Sequence, residues 1–159
     1  MKTKIYFSLL SLVLTMSIFS CKDKESSSTA NPIIKDTTEY FTCKINNVAY
    51  VDNSRFSDYS NGATRIISSN DDVLFRLDFK GEAIGEYIIN ATSTDNTIEY
   101  NDINQERYES VSGKITITEF NKTDHILSGT FNGTLKKAIG NTLITITDGK
   151  FNYVPLTQF

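Results

Sequence analysis

Four carboxylates stand close together in the sequence, and paired carboxylates are the groups that glycoside hydrolysis uses. They are Glu99, Asp102, Glu106 and Glu109. The chemistry requires two carboxyl groups that face each other across a cleft, about 5.5 Å or about 6.5–9.5 Å apart. Nearness along the chain does not place them across a cleft. We therefore interpret these residues as polar positions of a solvated hairpin and predict no catalytic residue.

The other candidates for catalysis or metal binding are too few or wrongly spaced. His125 is the only histidine, its acidic neighbour Asp124 adjoins it in the chain, and no G-x-S-x-G turn supplies a nucleophile. Cys43 alternates with polar residues, which predicts a small buried hydrophobic side chain rather than a nucleophile. The acidic turns Asn70-Asp71-Asp72 and Asp95-Asn96 lack the spacing of an EF-hand loop. We expect neither a metal nor a cofactor.

Aromatic residues in a polar segment provide a second kind of candidate site. Asp52–Ala63 is predicted to be a loop, and it carries Phe56 and Tyr59 among Asn, Asp and Ser residues. Exposed aromatic rings beside polar groups are typical of a sugar-binding surface, and Tyr100 would extend it. The same rings could instead pack under the sheet as a satellite of the core. Phe56, Tyr59 and Tyr100 are the candidate ligand-binding residues.

The composition narrows the class of partner. The chain has 159 residues, a net charge of −3, one histidine and two cysteines. Nucleic-acid binding depends on a clustered excess of Lys and Arg, so nucleic acid is not expected as a partner. Two cysteines and one histidine are too few for a zinc cluster or a disulfide framework. The length allows one domain with a tail.

The N-terminal segment predicts export and lipidation. In residues 1–20, Lys2 and Lys4 precede an apolar run that is short for a membrane span, as in a secretory signal peptide. The junction Ile18-Phe19-Ser20-Cys21 resembles the bacterial lipobox. That resemblance implies that Cys21 takes a diacylglyceryl group, that cleavage exposes its amine, and that a further acyl chain follows. Two or more acyl chains give stable membrane anchoring.

Residues 21–38 are predicted to form a flexible tether between the anchor and the domain. Ser, Thr, Lys and Asp dominate this stretch, and such a composition cannot build a core. Lys22 follows the lipobox cysteine where Asp would favour retention in the inner membrane, so the lipobox resemblance implies the outer membrane. The folded domain is then expected over residues 39–159.

Residues 39–159 have the pattern of an all-β domain. Phe41–Ile45 and Val48–Tyr50 alternate in polarity around Asn46-Asn47, which predicts a two-residue hairpin turn. Asp148-Gly149 marks either a hairpin or a bulge in one bent strand. Two glycines on the inward face of 126–135 predict that a bulky neighbour packs against bare backbone. Roughly ten short strands favour an antiparallel β-sandwich, with a β-barrel as the alternative.

An ordered set of motifs resembles a group of uncharacterised Bacteroidota lipoprotein domains with a β-rich fold. The resemblance covers about residues 40–156 and departs at Asn47, where glycine is usual. The motifs are Phe41-Thr42-Cys43-Lys44-Ile45-Asn46-Asn47, Gly85-Glu86-Tyr87, Gly113-Lys114-Ile115-Thr116-Ile117-Thr118-Glu119, Ile126-Leu127-Ser128-Gly129-Thr130-Phe131 and Ile146-Thr147-Asp148-Gly149-Lys150-Phe151. Glycines and core aromatics define a fold rather than a site, and the resemblance implies no activity.

Together these patterns predict a lipid-anchored outer-membrane or cell-surface lipoprotein. Its β domain would be a non-catalytic binding or structural module of the envelope. Its expected partners are the membrane, through the anchor, and a glycan or an envelope protein. The alternative is a carbohydrate-active enzyme or a glycan-binding subunit that uses surface carboxylates and aromatic rings.

Overall fold

The computed structural model describes residues 35–52, 55–70, 73–92 and 94–159. The predicted signal peptide, Cys21 and most of the predicted tether lie outside the described residues. Within the described part every regular element is a β-strand, which confirms the all-β prediction. The strands are β1 Tyr40–Ile45, β2 Val48–Asp52, β3 Arg55–Ser60, β4 Ala63–Ser69, β5 Leu74–Phe79, β6 Gly85–Asn90, β7 Thr97–Asn101, β8 Arg107–Asn121, β9 Ile126–Lys137 and β10 Leu143–Gln158.

Seven of the strands close into a barrel in the order β10-β3-β4-β5-β7-β8-β9 and back to β10. The β1–β2 hairpin joins the sheet at β10, and β6 joins it at β8. The fold is thus the barrel, the predicted alternative to the sandwich. The expectation of a wholly antiparallel sheet was wrong at one place, because β10 and β3 pair in parallel.

Closure into a barrel depends on two long strands that change partners along one side. β8 pairs with β7 at its start and with β6 farther along, and β10 pairs with β1 first and with β3 at its end. Each long strand therefore belongs both to the barrel wall and to the pairing with a strand outside it. A barrel strand has one face inside and one outside, so it shows the same alternation of polarity as a sandwich strand.

No helix in the described ranges is long and apolar enough to cross a membrane.

The predicted β1–β2 hairpin is confirmed with its register. Asn46 and Asn47 both have positive φ, at 48° and 68°. The type I′ hairpin turn requires these values and Asn tolerates them, so the turn forms without the usual glycine. Cys43 pairs with Tyr50, the register that a two-residue turn at Asn46-Asn47 implies. Val48, at the end of the hairpin, is 70% exposed rather than inward-facing.

Asp148-Gly149 is the bulge of one bent strand, the second of the two predicted alternatives. Asp148 has φ 53°, and the pairing of β10 with β9 shifts register between Ile146 and Gly149. The residues before and after Asp148-Gly149 therefore belong to one strand, β10, and β8 likewise continues through a register shift between Ser110 and Ser112. These long strands bend at bulges, and bending allows the sheet to close.

The core is aromatic and includes two interlocked glycine–phenylalanine pairs. In the antiparallel β9–β10 ladder Gly129 lies opposite Phe151, and Phe131 lies opposite Gly149. A Cβ on Gly129 would lie 2.6 Å from Phe151 Cζ, and one on Gly149 would lie 2.7 Å from Phe131 Cδ1. Each ring therefore covers the bare backbone of the opposite glycine. This confirms that a bulky side chain packs on Gly129.

Cys43 is expected to be inert to alkylation in the folded protein. Its side chain is 4% exposed, and burial raises the pKa of its thiol to about 12, so almost no reactive thiolate forms at mildly alkaline pH. Peptide mapping after iodoacetamide treatment should find Cys43 unmodified in the native protein and fully modified in concentrated guanidinium chloride. Rapid modification of Cys43 without denaturant would contradict this placement.

Candidate ligand-binding face

Phe56 lies on a strand and not on the predicted loop. The interpretation of Asp52–Ala63 as a loop was wrong, because Arg55–Ser60 forms β3 and only the turn at Asn61-Gly62 breaks the pairing with β4. Successive side chains of a strand point to opposite faces. Phe56 is accordingly on the outer face of the barrel, where it is 49% exposed.

The other two candidate aromatic residues belong to the interior. Tyr59 is 5% exposed, and its hydroxyl donates to Gln158 Oε1 at 3.2 Å. Tyr100 packs its ring 4.8 Å from the Phe75 ring. The structure therefore does not bring Phe56, Tyr59 and Tyr100 together on one surface. The two tyrosines take the alternative role, as members or neighbours of the core.

A row of alternating charges crosses the outer face of β4, β5, β7 and β8. Arg65 Nε contacts Asp78 Oδ1 at 2.9 Å, and Arg76 Nε contacts Asp78 Oδ2 at 2.7 Å. Arg76 Nη2 and Arg107 Nη2 then both contact Glu99 Oε2, at 2.8 Å and 3.0 Å. The residues sit on one face because Arg65 pairs with Asp78, and Arg76 with Glu99, across neighbouring strands. The hydrogen bond from Arg65 to Asp78 also raises the pKa of the Arg65 guanidinium above its usual value.

Glu99 is the best shielded charge of this row. It is 6% exposed, and two guanidinium groups compensate its carboxylate. A buried carboxylate without such partners would be strongly unfavourable. The two hydrogen-bonded arginines therefore fix the Glu99 side chain in place.

Two of the four carboxylates considered in the sequence analysis lie side by side on neighbouring strands. Glu99 and Glu109 are cross-strand partners on β7 and β8. Arg107 Nη2 contacts both of them, Glu109 Oε1 at 2.7 Å. Arg107 therefore bridges the two carboxylates, whereas glycoside hydrolysis needs them to face a substrate across an open cleft.

The other two carboxylates are part of the β7–β8 turn. Asp102 Oδ1 accepts hydrogen bonds from the backbone N–H groups of Asn104 and Glu106, both at 2.9 Å. Glu106 forms an ion pair with Lys137. Both therefore act as the polar positions of a hairpin, as the sequence predicted.

Two clefts flank the connection between β6 and β7. The first has a volume of about 280 Å³; Arg76, Glu99 and Arg107 contribute to its floor, and Asn90, Ala91, Thr94 and Thr97 to its walls. The second has a volume of about 440 Å³ and reaches Asp58, Arg65 and Asp78 on the same face. Thr94 lines both. Asn96 holds the connection, since its Nδ2 donates to the Ile88 carbonyl at 2.8 Å and its Oδ1 accepts from the Lys80 N–H at 3.0 Å.

A family model for a domain of unknown function, DUF6252, matches residues 37–155. The chain belongs to the DUF6252 family. The matched segment runs from just before β1 to near the end of β10 and so contains the whole barrel apart from its last residues. No curated protein and no solved structure matches the chain.

The outer face of this DUF6252 domain is nearly balanced in charge. Three arginines lie beside four acidic side chains, of which three form ion pairs with them and Asp58 is the cross-strand neighbour of Arg65: the residues are Arg65, Arg76, Arg107, Asp58, Asp78, Glu99 and Glu109. Paired in this way, the groups offer fixed hydrogen-bond donors and acceptors without a strong field of either sign. Among the described residues no group of three or more His, Cys, Asp or Glu side chains could hold a metal ion.

His125 lies away from the charged face, in the β8–β9 turn. It is exposed and has φ 55°. Its backbone carbonyl accepts a hydrogen bond from the Leu156 N–H at 2.9 Å. His125 is therefore a surface residue of a turn.

Proposed function

We propose that this protein is a lipid-anchored, non-catalytic binding module of a bacterial cell envelope. The outer face of β3, β4, β5 and β7 is its binding surface. The observation that carries the proposal is the fixed, charge-balanced row from Arg65 to Arg107, which borders two clefts and shares its face with the exposed ring of Phe56. Such preorganised polar groups lower the entropic cost of binding a ligand.

The lipobox-like junction at Cys21 supports the anchor, and Lys22 supports the outer membrane or cell surface as its location. The similarity of the motifs to Bacteroidota lipoprotein domains supports a bacterium of that phylum as the source.

Cys21→Ser should move the protein from the membrane fraction to the soluble fraction of lysed cells. Mass spectrometry of the wild-type protein should find an acylated N-terminal Cys21. Cys43→Ser is the matched control and should stay in the membrane fraction; an unmodified residue 21 would contradict the anchor.

The binding surface can be tested by filling the smaller cleft. Ala91 is exposed and lines that cleft, so Ala91→Trp should block it without disturbing the barrel. With both variants made in the Cys21→Ser protein, so that the anchor does not hold them on membranes, we expect at least a tenfold loss of co-sedimentation with envelope fragments of the producing cell, which corresponds to about 1.4 kcal/mol. Ala49→Trp, at an exposed position of β2, is the control and should bind like the wild type. Equal loss in both variants, or no binding by the wild type, would contradict the proposed surface.

A carbohydrate-active enzyme is the second candidate function, because Glu99 and Glu109 face the same cleft. The contacts of Arg107 with both carboxylates weigh against it, as does the burial of Glu99. Release of reducing ends from envelope polysaccharides by the wild type, abolished by Glu109→Gln, would favour the enzyme over the binding module.

A further inference from the structure

One line of cross-strand neighbours connects Phe56 to the smaller cleft. On the outer face Phe56 pairs with Ile67, Ile67 with Arg76, and Arg76 with Glu99. Neighbouring strands lie about 4.8 Å apart, so the line from β3 to β7 is about 14 Å long. It runs across the strands, and it is long enough for an extended ligand of several units.

The two ends of this line differ in chemistry. At one end Phe56 exposes half of an aromatic ring, and Ile67 beside it is partly exposed. At the other end Arg76 and Glu99 lie in a cleft whose walls carry the hydroxyls of Thr94 and Thr97. The line therefore offers an apolar surface followed by paired donors and acceptors.

The charge of the face restricts what can bind there. An anionic ligand would meet the four acidic side chains, and a cationic ligand would compete with three arginines that are already paired. A purely apolar ligand would have to desolvate the ion pairs without replacing their contact with water. A ligand with an apolar ring face and uncharged hydroxyl groups satisfies both ends of the line.

We propose that the ligand is an uncharged saccharide chain that lies across the strands from Phe56 to the cleft at Glu99. One sugar ring stacks on Phe56, and a second unit occupies the cleft, where its hydroxyls hydrogen-bond with the Arg76 guanidinium and the hydroxyls of Thr94 and Thr97. This inference rests on the proposed function and names the ligand class of the same surface.

The experiment is co-sedimentation of the Cys21→Ser protein, which lacks the lipid anchor and so cannot sediment through it, with three preparations of the producing cell's envelope: untreated, protease-treated and periodate-treated. Periodate cleaves the vicinal diols of sugars. We expect binding to survive protease and to be lost after periodate. The neutral fraction of the released saccharides, separated by anion exchange, should compete for binding. Binding that survives periodate, or competition by the acidic fraction alone, would overturn the saccharide inference and leave the binding module standing. Absence of binding to the untreated envelope would instead overturn the proposed function.

Phe56→Ala locates the contact. Loss of an exposed aromatic contact should weaken binding about fivefold or more. Phe159→Ala removes the same side chain from another exposed position and is the matched control. Unchanged binding of Phe56→Ala, or equal weakening of both variants, would overturn the proposed stacking. Thermal unfolding of both variants shows that each is folded.

Discussion

Gly129→Ala is expected to lower the free energy of unfolding by about 3 kcal/mol, at the upper end of what an added methyl group costs in a packed core. The new Cβ would meet the Phe151 ring on one side and the backbone carbonyl oxygen of Thr116 on the other. A ring can rotate, but a carbonyl of the neighbouring strand cannot move without breaking the ladder. Urea denaturation of the variant and the wild type measures the difference.

Gly85→Ala is the matched control for Gly129→Ala. Gly85 also lies on a strand, but a Cβ there has no heavy atom within 4 Å. Its free energy of unfolding should change by less than about 0.5 kcal/mol. Equal stability of the two alanine variants would contradict the close approach of Phe151 to the Gly129 backbone.

Phe75→Ala should lower the free energy of unfolding by about 3–5 kcal/mol, the usual cost of removing a buried phenylalanine ring. Phe75 is fully buried, and its ring lies within 4.8–6.2 Å of the rings of Phe41, Tyr50, Tyr100 and Phe131. It therefore links the barrel wall to the β1–β2 hairpin. Chemical denaturation monitored by far-UV circular dichroism measures the loss.

Phe56→Ala is the control for Phe75→Ala, because it removes the same side chain from the outer face of the barrel. Half of its ring is already in water, so the free energy of unfolding should change by less than about 1 kcal/mol. A destabilisation by Phe56→Ala as large as that by Phe75→Ala would contradict the assignment of Phe56 to the surface.

The sequence predicted those features that depend on local chemistry. Asn46-Asn47 between alternating residues specifies a hairpin and its register, since few residues accept two consecutive positive φ values. The inward glycine at 129 likewise predicted a bulky partner. The sequence did not identify Phe151 as that partner. Which residue of β10 lies opposite Gly129 depends on the bulge at Asp148, and no local pattern specifies how far that bulge shifts the register.

The charge row and the closure of the barrel could not be predicted for a related reason. Arg76 and Asp78 alternate with apolar residues and so belong to an outward face, but their partners Glu99 and Arg65 follow only from the register of two strand pairs, β5–β7 and β4–β5. Phe56 was recognised as a candidate, and its predicted neighbour Tyr59 points inward because the segment is a strand. The segment RFSDYS does not alternate in polarity, so the sequence carried no signal for this strand; on a strand, residues three apart face opposite sides.

A rival surface lies where the β7–β8 and β9–β10 turns meet. Ile103, Ile139 and Leu143 are exposed there, and the Ala138 N–H donates to the Arg107 carbonyl at 2.8 Å, which brings the two turns together. This end carries exposed aliphatic side chains next to the Glu106–Lys137 ion pair. The two surfaces expose different side chains, so one experiment that follows individual residues can distinguish them.

Hydroxyl-radical footprinting of the protein on envelope fragments tests the proposed binding face most directly. Oxidation of each side chain is compared with and without the fragments by mass spectrometry. We expect oxidation of Phe56 to fall when the fragments are present, while oxidation of Ile103, Ile139 and Leu143 stays the same. Protection of those three residues with unchanged oxidation of Phe56 would contradict the outer face as the binding surface.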